Sequence, residues 1–527
     1  MMQEDGDVEL VRRWRLTAAI ACIGLWLLTG CGGSGSVSES DNDGASTVYP
    51  VGELGDLVDI GDFDNADGSW KYTKISAMDD DGNVVGQSNY GTPSRAAFLW
   101  TDAGGMTYLG IHSLGYLDPS DTNGYEYSYD DYYDLDEDEE GADFATSQAV
   151  AVFPNSGTPE AIGNSITDDE NEKRAFYWNG AGFVDLPPMY YEISFTVVDN
   201  VKNETEYTGY VMKSASEAAA INGAYILVNL EDEEGTHAYY WDKSATTSIK
   251  VYDEKFEDYD DVDGDSDDDN DDDEDDVDAE PPYVNISVPD YQPLGNVTGD
   301  DTEAVAINAS NQVIVNVGGG DSVIFYNDIV SGESETLEPF TWASTIYAAA
   351  INDDGNVVGT SGDDAFFWNR TSGSMTVCGY LDGDASVATD LNNSNQVVGY
   401  ATNEDGDYHA FLWKSGRGTT DLGTLGGDNS YALAINDNGV VIGVSETGET
   451  YSAGSQELDI YHACIWYKGE LYDLGVITDF DNAPDGVSYP FSASVALNAD
   501  NRVAGNSITV GNHYRGFILD PDTTIIP

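Results

Sequence analysis

One pattern of apolar and polar positions recurs from about residue 72 to the C-terminus. Its clearest copy is residues 347–369, with the sequence YAAAINDDGNVVGTSGDDAFFWN. Two short apolar runs flank an Asn-Asp-Asp-Gly turn, which is a strong signal for a β-hairpin. A variable loop then leads to an aromatic run that ends in Trp368. The pattern therefore predicts a unit of several short β-strands.

The turn between the first two strands has a constrained backbone. One position is Gly in three copies and Asn in three others, namely Gly82, Gly355, Gly439, Asn311, Asn395 and Asn501. Because Gly and Asn tolerate a positive φ, we expect this residue to lie in the left-handed region. The turn begins with Asn in six copies, at residues 222, 308, 352, 392, 436 and 498. The side chain of this Asn is predicted to accept hydrogen bonds from the turn backbone as an Asx-turn.

The spacing of the copies is typical of a β-propeller. Turn positions 311, 355, 395 and 439 are 44, 40 and 44 residues apart. A period of ~40–45 residues with several short strands per unit is the signature of propeller blades. Eight copies are found, over residues 77–100, 149–178, 218–241, 304–326, 348–368, 388–413, 432–466 and 494–519. Phe153 replaces the turn Asn, and Tyr326 and Leu519 replace the strand-ending Trp, so seven blades are an alternative to eight.

Four strands are predicted in each copy. The first is rich in Ala and is expected to be innermost, where the blades converge and space is smallest. The third ends in Trp in six copies, and its ring is expected to pack between blades. Residues 59–68 (DIGDFDNADG) resemble the end of a repeat, as in residues 476–486 (VITDFDNAPDG). We therefore predict an all-β fold over residues 47–527, a β-propeller of eight four-stranded blades that an N-terminal strand closes.

The repeat also resembles a known family. Residues 421–427 (DLGTLGG), 434–439 (AINDNG) and 409–413 (HAFLW) are similar to the extracellular HAF repeat of bacterial secreted proteins. The similarity covers most of residues 72–527. It implies an exported, β-propeller-like protein and assigns no activity to it.

The first 30 residues predict a lipoprotein signal peptide. Three arginines precede a 13-residue apolar run over residues 16–28, which is shorter than the ~20 residues that span a bilayer. The run ends in LTGC at residues 28–31, which resembles the bacterial lipobox. That resemblance implies cleavage before Cys31 and its acylation, and Gly32 after it implies the outer membrane. A plain signal peptide that happens to contain Cys is the alternative.

Composition adds a strong negative charge. The 527 residues include 98 acidic and 19 basic side chains, which gives a net charge of −79. Such a chain repels nucleic acid and anionic membrane surfaces, so its membrane contact is expected through the N-terminal lipid alone. Residues 31–46 are a Gly/Ser/acidic segment that predicts a flexible tether. Two acidic insertions, residues 119–143 and 251–283, lie between repeats and are expected to form loops.

One acidic motif suggests a metal ion. Asp261, Asp263, Asp265 and Asp267 lie in the sequence DVDGDSD, which resembles the core of calcium-binding loops. Closely spaced Asp side chains around a Gly turn can supply the hard oxygens that Ca²⁺ prefers. The twelfth residue of the motif is Asp272, where an EF-hand loop uses Glu. The alternative is a solvated polyanion that condenses cations loosely.

The other candidate residues point to scaffolding. His237, His409 and His462 occupy one repeat position, where other copies have Arg174 and Arg515. Residues equivalent by repeat are spread around a ring, so these histidines are not expected to converge on a metal or substrate. Cys378 and Cys464 are expected to be buried free thiols. Asp390 stands where seven copies have Ala, and it is a candidate to line the central channel; the favoured alternative is a degenerate repeat position that faces solvent.

The sequence contains no Ser/His/Asp elbow, phosphate loop or zinc signature. We therefore predict a non-catalytic, lipid-anchored cell-envelope β-propeller that acts as a binding or scaffold module for a protein or glycan. One alternative is a glycan-active enzyme with acids at the channel mouth. The other is a calcium-responsive structural protein of the envelope that depends on residues 251–283.

Overall fold

The structure is a computed structural model that describes most of the predicted propeller. The described residues are 47–49, 52–61, 72–89, 95–110, 146–155, 158–166, 173–186, 190–198, 204–212, 216–232, 235–252, 283–294, 301–318, 323–453, 456–477, 491–509 and 513–527. The predicted signal peptide, Cys31 and the tether lie outside them. So do the insertion 119–143, residues 253–282 and the calcium motif with Asp261, Asp263, Asp265 and Asp267.

Two short strands, β1 (Thr47–Tyr49) and β2 (Val58–Asp59), come before the blades. Blade 1 contains β3 (Thr73–Met78), β4 (Val84–Asn89), β5 (Arg95–Thr101) and β6 (Gly105–Gly110), and blade 2 contains β7 (Thr146–Phe153), β8 (Glu160–Ile166), β9 (Lys173–Trp178) and β10 (Phe183–Leu186). A separate hairpin of β11 (Tyr190–Val198) and β12 (Glu204–Met212) follows. Blade 3 contains β13 (Ser216–Ile221), β14 (Tyr225–Asp232), β15 (Gly235–Tyr252) and β16 (Tyr283–Pro293).

Blades 4 to 8 follow the same order. Blade 4 contains β17 (Thr302–Ile307), β18 (Gln312–Val317), β19 (Val323–Asp328) and β20 (Ser334–Leu337), and blade 5 contains β21 (Ile346–Ile351), β22 (Val357–Ser361), β23 (Asp364–Asn369) and β24 (Ser374–Val377). Blade 6 contains β25 (Ser386–Leu391), β26 (Gln396–Thr402), β27 (Tyr408–Lys414) and β28 (Gly418–Asp421), and blade 7 contains β29 (Ser430–Ile435), β30 (Val441–Ala453), β31 (Gln456–Tyr467) and β32 (Glu470–Gly475). Blade 8 contains β33 (Phe491–Leu497), β34 (Val503–Thr509) and β35 (His513–Leu519). The described residues contain no helix. The expectation that the insertion 251–283 lies between repeats is wrong: residues 251–252 end β15 and residue 283 begins β16, so the insertion interrupts blade 3 itself.

The N-terminal strands close the ring. Strand β2 pairs antiparallel with β35 and so becomes the outer strand of blade 8. Strand β1 pairs parallel with β32 as a fifth strand of blade 7. Blades 8 and 1 then meet directly, because Asn506 Oδ1 accepts the N–H of Ile75 at 2.7 Å. The predicted eight-bladed, N-terminally closed β-propeller is therefore confirmed, and the seven-bladed alternative is wrong.

Backbone constraints explain the recurrent Gly or Asn of the turn and the Gly that follows Val357 and Val358 in the second strand. The turn residue has φ between 56° and 80° whether it is Asn or Gly, as predicted: Gly82, Asn311, Gly355, Asn395, Gly439 and Asn501. In the following strand, a Cβ on Gly359 would overlap the backbone O of Tyr347 on the neighbouring strand. The Gly is therefore required because two backbones approach closely there.

Every innermost strand also carries a β-bulge that the sequence pattern did not indicate. The pairing register shifts around the middle residue of this strand in all eight blades, at Ser76, Val150, Ala219, Val305, Ala349, Thr389, Leu433 and Val495. A bulge bends its strand and increases the local twist. The eight equivalent bulges therefore give each blade the same bend beside the central axis.

The core lies between the blades. Trp413 of blade 6 packs against Phe367 of blade 5, with ring centroids 5.4 Å apart. Trp368 of blade 5 similarly contacts Tyr326 of blade 4 at 5.6 Å. These contacts confirm that the rings ending the third strands pack between blades. Cys378 and Cys464 are buried and free, as expected.

Buried hydroxyls join neighbouring blades at the start of the innermost strands. Ser430 Oγ in blade 7 accepts the N–H of Ala410 in blade 6 at 2.9 Å and donates to Gly423 O at 2.8 Å. Ser216 and Ser386 make the same two bonds to the preceding blade. A recurrent Ser that looks like a surface residue in sequence is therefore part of the blade interface.

Candidate functional site

The two faces of the propeller carry different connections. The four strands that repeat in each blade are antiparallel to their neighbours, so the turns after the first and third strands lie on one face. The connections after the second and fourth strands lie on the opposite face. We call these the turn face and the loop face.

On the turn face, the repeated Asn joins each blade to the next. Asn352 Oδ1 accepts the N–H of Asn356 at 2.9 Å, which confirms the predicted Asx-turn. Asn352 Nδ2 donates to the backbone O of Asn392 in the following blade at 3.1 Å. The same inter-blade bond, at 2.8–3.3 Å, is made by Asn222, Asn308, Asn392, Asn436 and Asn498. These asparagines are therefore structural, and sequence reasoning missed their second bond.

Between blades 2 and 3, a lysine makes the inter-blade contact that the repeated Asn makes elsewhere. Blade 2 has Phe153 at the Asn position and so offers no amide to blade 3. Lys243 Nζ donates to Asn222 O at 3.2 Å and forms an ion pair with Glu160. Burial, followed by the hydrogen bond and charge of Glu160, raises the pKa of Tyr177 beside it. We interpret this cluster as a substitute for the missing Asn.

The repeated histidines connect strands within their own blades. His409 Nδ1 lies 2.7 Å from Asp421 Oδ2, and His462 Nδ1 lies 2.8 Å from Asp473 Oδ1. Burial acts to lower the pKa of His409, but the hydrogen bond and charge of Asp421 outweigh it and the pKa is raised. In blade 8, Arg515 and Asp59 form the equivalent pair at 3.2 Å. The scaffolding role expected for His409 and His462 is confirmed.

The loop face of blades 5–7 is strongly acidic over its described residues. We define the acidic loop face as residues 338–345, 361–364, 378–385, 402–408, 422–429, 446–453 and 456–459. These residues contain no Lys or Arg. Their acids are Glu338, Asp363, Asp364, Asp382, Asp384, Glu404, Asp405, Asp407, Asp428, Glu446, Glu449, Glu457 and Asp459. The turn face of the same blades instead carries Arg370, Lys414, Arg417 and Lys468.

Four carboxylates of this face influence one another. Glu446 is buried, and its Oε2 accepts the N–H of Asn429 at 3.1 Å and Asn429 Nδ2 at 3.0 Å. Burial raises the pKa of Glu446, and the charges of Asp459 and Asp428 raise it further. Burial and the charge of Asp428 also raise the pKa values of Asp407 and Asp459. Asp428 is therefore the shared neighbour of an acidic cluster between blades 6 and 7.

Aromatic side chains accompany the acids. Tyr400, Tyr408 and Tyr431 form a triad with ring centroids 5.1–6.0 Å apart. The triad is attached to the acidic cluster, because the N–H of Tyr408 donates to Asn429 Oδ1 at 3.1 Å. Tyr380 is 63% exposed in the connection between blades 5 and 6.

Trp342, in the connection before blade 5, is the most exposed large ring of the described residues at 66%. It stacks on Phe340 with ring centroids 4.7 Å apart and an interplanar angle of 10°. Its indole Nε1 donates to Asp364 Oδ2 at 2.8 Å. The orientation of an exposed tryptophan is therefore fixed beside a carboxylate.

Asp390 lies in the innermost strand of blade 6, as the sequence suggested. Its Oδ1 accepts the N–H of Leu391 at 2.8 Å, and its Oδ2 accepts the N–H of Ile435 in blade 7 at 2.9 Å. Burial raises the pKa of Asp390 to about 7, although both hydrogen bonds act to lower it. The side chain is partly exposed, and it joins two blades in place of the usual Ala.

The described residues offer neither a metal site nor a membrane-spanning helix. In that part of the chain, no group of three or more His, Cys, Asp or Glu side chains could hold a metal ion. The same residues contain no helix that is long and apolar enough to cross a membrane. The predicted aspartate motif at residues 261–267 lies outside the described residues.

Comparisons with known proteins give fold-level similarities only. No protein-family model matches the sequence, and no curated protein matches it. TolB from Acinetobacter baumannii is 10% identical, covering 72% of this chain and 80% of that one, with a TM-score of 0.27. The extracellular domain of BT4673 from B. thetaiotaomicron is 9% identical over 70% and 38% of the chains, with a TM-score of 0.34. The Aleuria aurantia lectin is 7% identical over 67% and 96%, with a TM-score of 0.26. At such identities and TM-scores, no ligand or activity is transferred to this chain.

Proposed function

We propose that this β-propeller is a non-catalytic binding or scaffold module of the bacterial cell envelope, and that its binding surface is the acidic loop face. The supporting observation is the contrast between the two faces. On the turn face, the repeated polar side chains are occupied in joining blades. On the loop face of blades 5–7, acids and exposed rings lie in the connections between strands, and binding residues of rigid scaffolds are concentrated in loops.

The proposed location rests on the N-terminal sequence. Residues 28–31 (LTGC) would place a lipid on Cys31, and the tether 31–46 would hold the propeller away from the outer membrane. The lipid is the proposed membrane contact, since the net charge of −79 opposes adsorption to anionic lipid. Metabolic labelling of the full chain with a radioactive fatty acid tests this, and Cys31→Ser is expected to abolish the label.

A ligand screen tests the proposed binding surface. The chain without its first 31 residues would be screened against arrays of glycans and of envelope proteins. Ligands are expected whose binding is weakened by combined neutralisation of Asp363, Asp364, Asp382 and Asp384 to Asn. A matched control is Asp354→Asn on the turn face, where binding should be unchanged. Ligands that respond equally to both changes, or to neither, would contradict the proposal.

A glycan-active enzyme is the second candidate, because of the acidic cluster around Asp428. A carboxyl group with a raised pKa is suited to act as a general acid, as one of the pair in glycoside hydrolysis does. Glu446, with its raised pKa, would be that acid. Release of reducing sugar from a glycan panel, abolished by Glu446→Gln, would establish this candidate and contradict the non-catalytic proposal.

A further inference from the structure

We infer that the partner of the acidic loop face is a basic polypeptide segment, and that an arginine of that segment stacks on Trp342. The inference rests on the proposed function, because it assumes that this face is the binding surface. It adds the chemical class of the partner and the side chain that anchors it.

Trp342 presents one free ring face in a fixed orientation. One face of its ring is covered by Phe340, so the opposite face is the one available for contact. The bond from its Nε1 to Asp364 fixes the ring plane, so little side-chain entropy is lost when a partner binds. A guanidinium stacks on an indole face and can donate to a carboxylate at the same time. Asp364 supplies that carboxylate directly beside the ring.

The negative charge of the acidic loop face is complementary to a cationic partner. The acidic loop face has thirteen acids and no Lys or Arg. Its charged groups can only accept hydrogen bonds, and ammonium and guanidinium groups only donate them. A cationic segment would also relieve the mutual repulsion among Asp407, Asp428, Glu446 and Asp459. An acidic glycan or a phosphorylated partner would increase that repulsion.

A second exposed ring, that of Tyr380, lies one blade away from Trp342. Tyr380 lies in the connection between blades 5 and 6, one blade further along the ring than Trp342. Asp382 and Asp384 are in the same connection. An extended segment that crosses successive blades would therefore meet an exposed aromatic ring with neighbouring acids at each of two blades. This repeated pairing suits a polypeptide with spaced cationic side chains better than a single small cation.

The inference can be tested with synthetic peptides and the chain that lacks its first 31 residues. The probes are fluorescein-labelled peptides of alternating Ser and Arg, with Lys and Glu in place of Arg as comparisons. Their affinities would be measured by fluorescence anisotropy at about 50 mM and about 300 mM NaCl, since added salt screens general attraction to an acidic protein. The Arg peptide is expected to bind most tightly, and the Glu peptide not at all.

Variants separate an anchored contact from general attraction. Trp342→Ala should weaken the Arg peptide about two- to fivefold at the higher salt concentration, and Trp342→Phe should retain most of the affinity. Neutralising Asp363, Asp364, Asp382 and Asp384 together to Asn should weaken it about tenfold. Asp354→Asn on the turn face should have no effect. The unfolding midpoints of all variants would verify that the blades remain folded.

Two outcomes would overturn the inference. One is an Arg-peptide affinity that does not change in Trp342→Ala, or that falls equally in Asp354→Asn. The other is a ligand from the screen that is neutral or anionic and depends on the acidic loop face. This second result would reject the basic partner and still support the proposed binding surface. If no ligand depends on that face, the proposed function itself fails.

Discussion

At the scale of single residues, Asp390 is a carboxylate at a position that is Ala in the other seven blades. It accepts backbone N–H groups from Leu391 and from Ile435 of the next blade. Burial nevertheless raises its pKa from 3.8 to about 7. Since the folded pKa is above the unfolded value, the contribution of Asp390 to stability is complete below pH ~4 and is lost as the pH rises through about 7.

The first prediction is therefore a pH-dependent effect of Asp390→Ala. At low pH the variant should be less stable, because two backbone N–H groups lose their acceptor. Between pH 4 and pH 8 the difference should move in favour of the variant, by up to about 4 kcal/mol. Urea unfolding at several pH values measures this, with the exposed Asp354→Ala as control. A difference that stays constant with pH would show that Asp390 titrates normally.

The second prediction concerns Tyr326, which replaces Trp in blade 4. Its hydroxyl is buried and has no hydrogen-bond partner among the described residues. Burial raises its pKa to about 12. Because an unsatisfied buried hydroxyl is costly, Tyr326→Phe is expected to stabilise the protein by about 1 kcal/mol.

Tyr472→Phe is the matched control for this change. The hydroxyl of Tyr472 donates to Glu470 Oε2 at 2.6 Å, so its loss should destabilise the protein by about 1 kcal/mol. Thermal and urea unfolding of the two variants measure both effects. If the two substitutions have the same sign, the assignment of Tyr326 as unsatisfied is wrong.

At the scale of elements, the Asn of each first turn performs two separable tasks. Its Oδ1 caps the turn of its own blade, and its Nδ2 holds the next blade. Blade 1 shows how an acid occupies this position. Asp79 accepts Asn83 Nδ2 at both oxygens, at 3.1 Å and 2.8 Å, and burial raises its pKa. An acid at this position therefore still caps the turn, but it has no N–H group to donate to the neighbouring blade.

The third prediction uses this difference in blade 5. Asn352→Asp keeps the acceptor for the turn but places a carboxylate against Asn392 O and Asn395 Oδ1, which now accept bonds from Asn352. It should cost roughly 2–3 kcal/mol of unfolding free energy, because each of the two oxygens loses one of its donors and faces a carboxylate in its place. Asp354→Asn, in the same turn, is the control and should cost little. A loss below about 0.5 kcal/mol, within the range of ordinary surface changes, would mean that the inter-blade bond is not stabilising.

The strand pattern was accessible to sequence reasoning because it repeats. Positive φ at the turn and the packing of Trp413 against a neighbouring blade follow from residue types at fixed spacing. The bulges, the bonds from Asn352 to the next blade and the role of Ser430 were not accessible. They depend on how two blades meet, and contacts between copies have no separate signal in the pattern of one copy.

The candidate site was even less accessible, for a related reason. Asp364, Asp428 and Glu446 are three among 98 acids, and nothing in their spacing distinguishes them from the others. Only the fold places their loops on one face and the nearby lysines and arginines on the other. Asp390 was recognisable because it breaks the repeat. The acidic loop face was not, because its thirteen acids are spread over six connections of a chain that is acidic throughout.

At the scale of the whole molecule, stability depends on closing the ring with the chain's own N-terminal segment. Strand β2 covers the outer edge of β35, and the Arg515–Asp59 ion pair joins the two strands. Leu54 and Ile60, only 2% and 8% exposed, are buried against blades 7, 8 and 1. While this segment is in place, no sheet edge is exposed where the ring closes.

The fourth prediction is that a chain beginning at residue 62 is much less stable than one beginning at residue 47. Losing the burial of Leu54 and Ile60 alone should cost on the order of 4 kcal/mol, at roughly 2 kcal/mol for each side chain. The exposed edge of β35 should also promote self-association, which sedimentation would detect. A chain that begins at residue 47 should unfold at the same temperature as one that begins at residue 32, because residues 32–46 are predicted to be tether. Adding a peptide of residues 47–61 should restore part of the lost stability, since the peptide can occupy the vacated edge. An unchanged melting temperature in the chain beginning at residue 62 would mean that closure is not what stabilises the ring, and that the contacts between blades are sufficient by themselves.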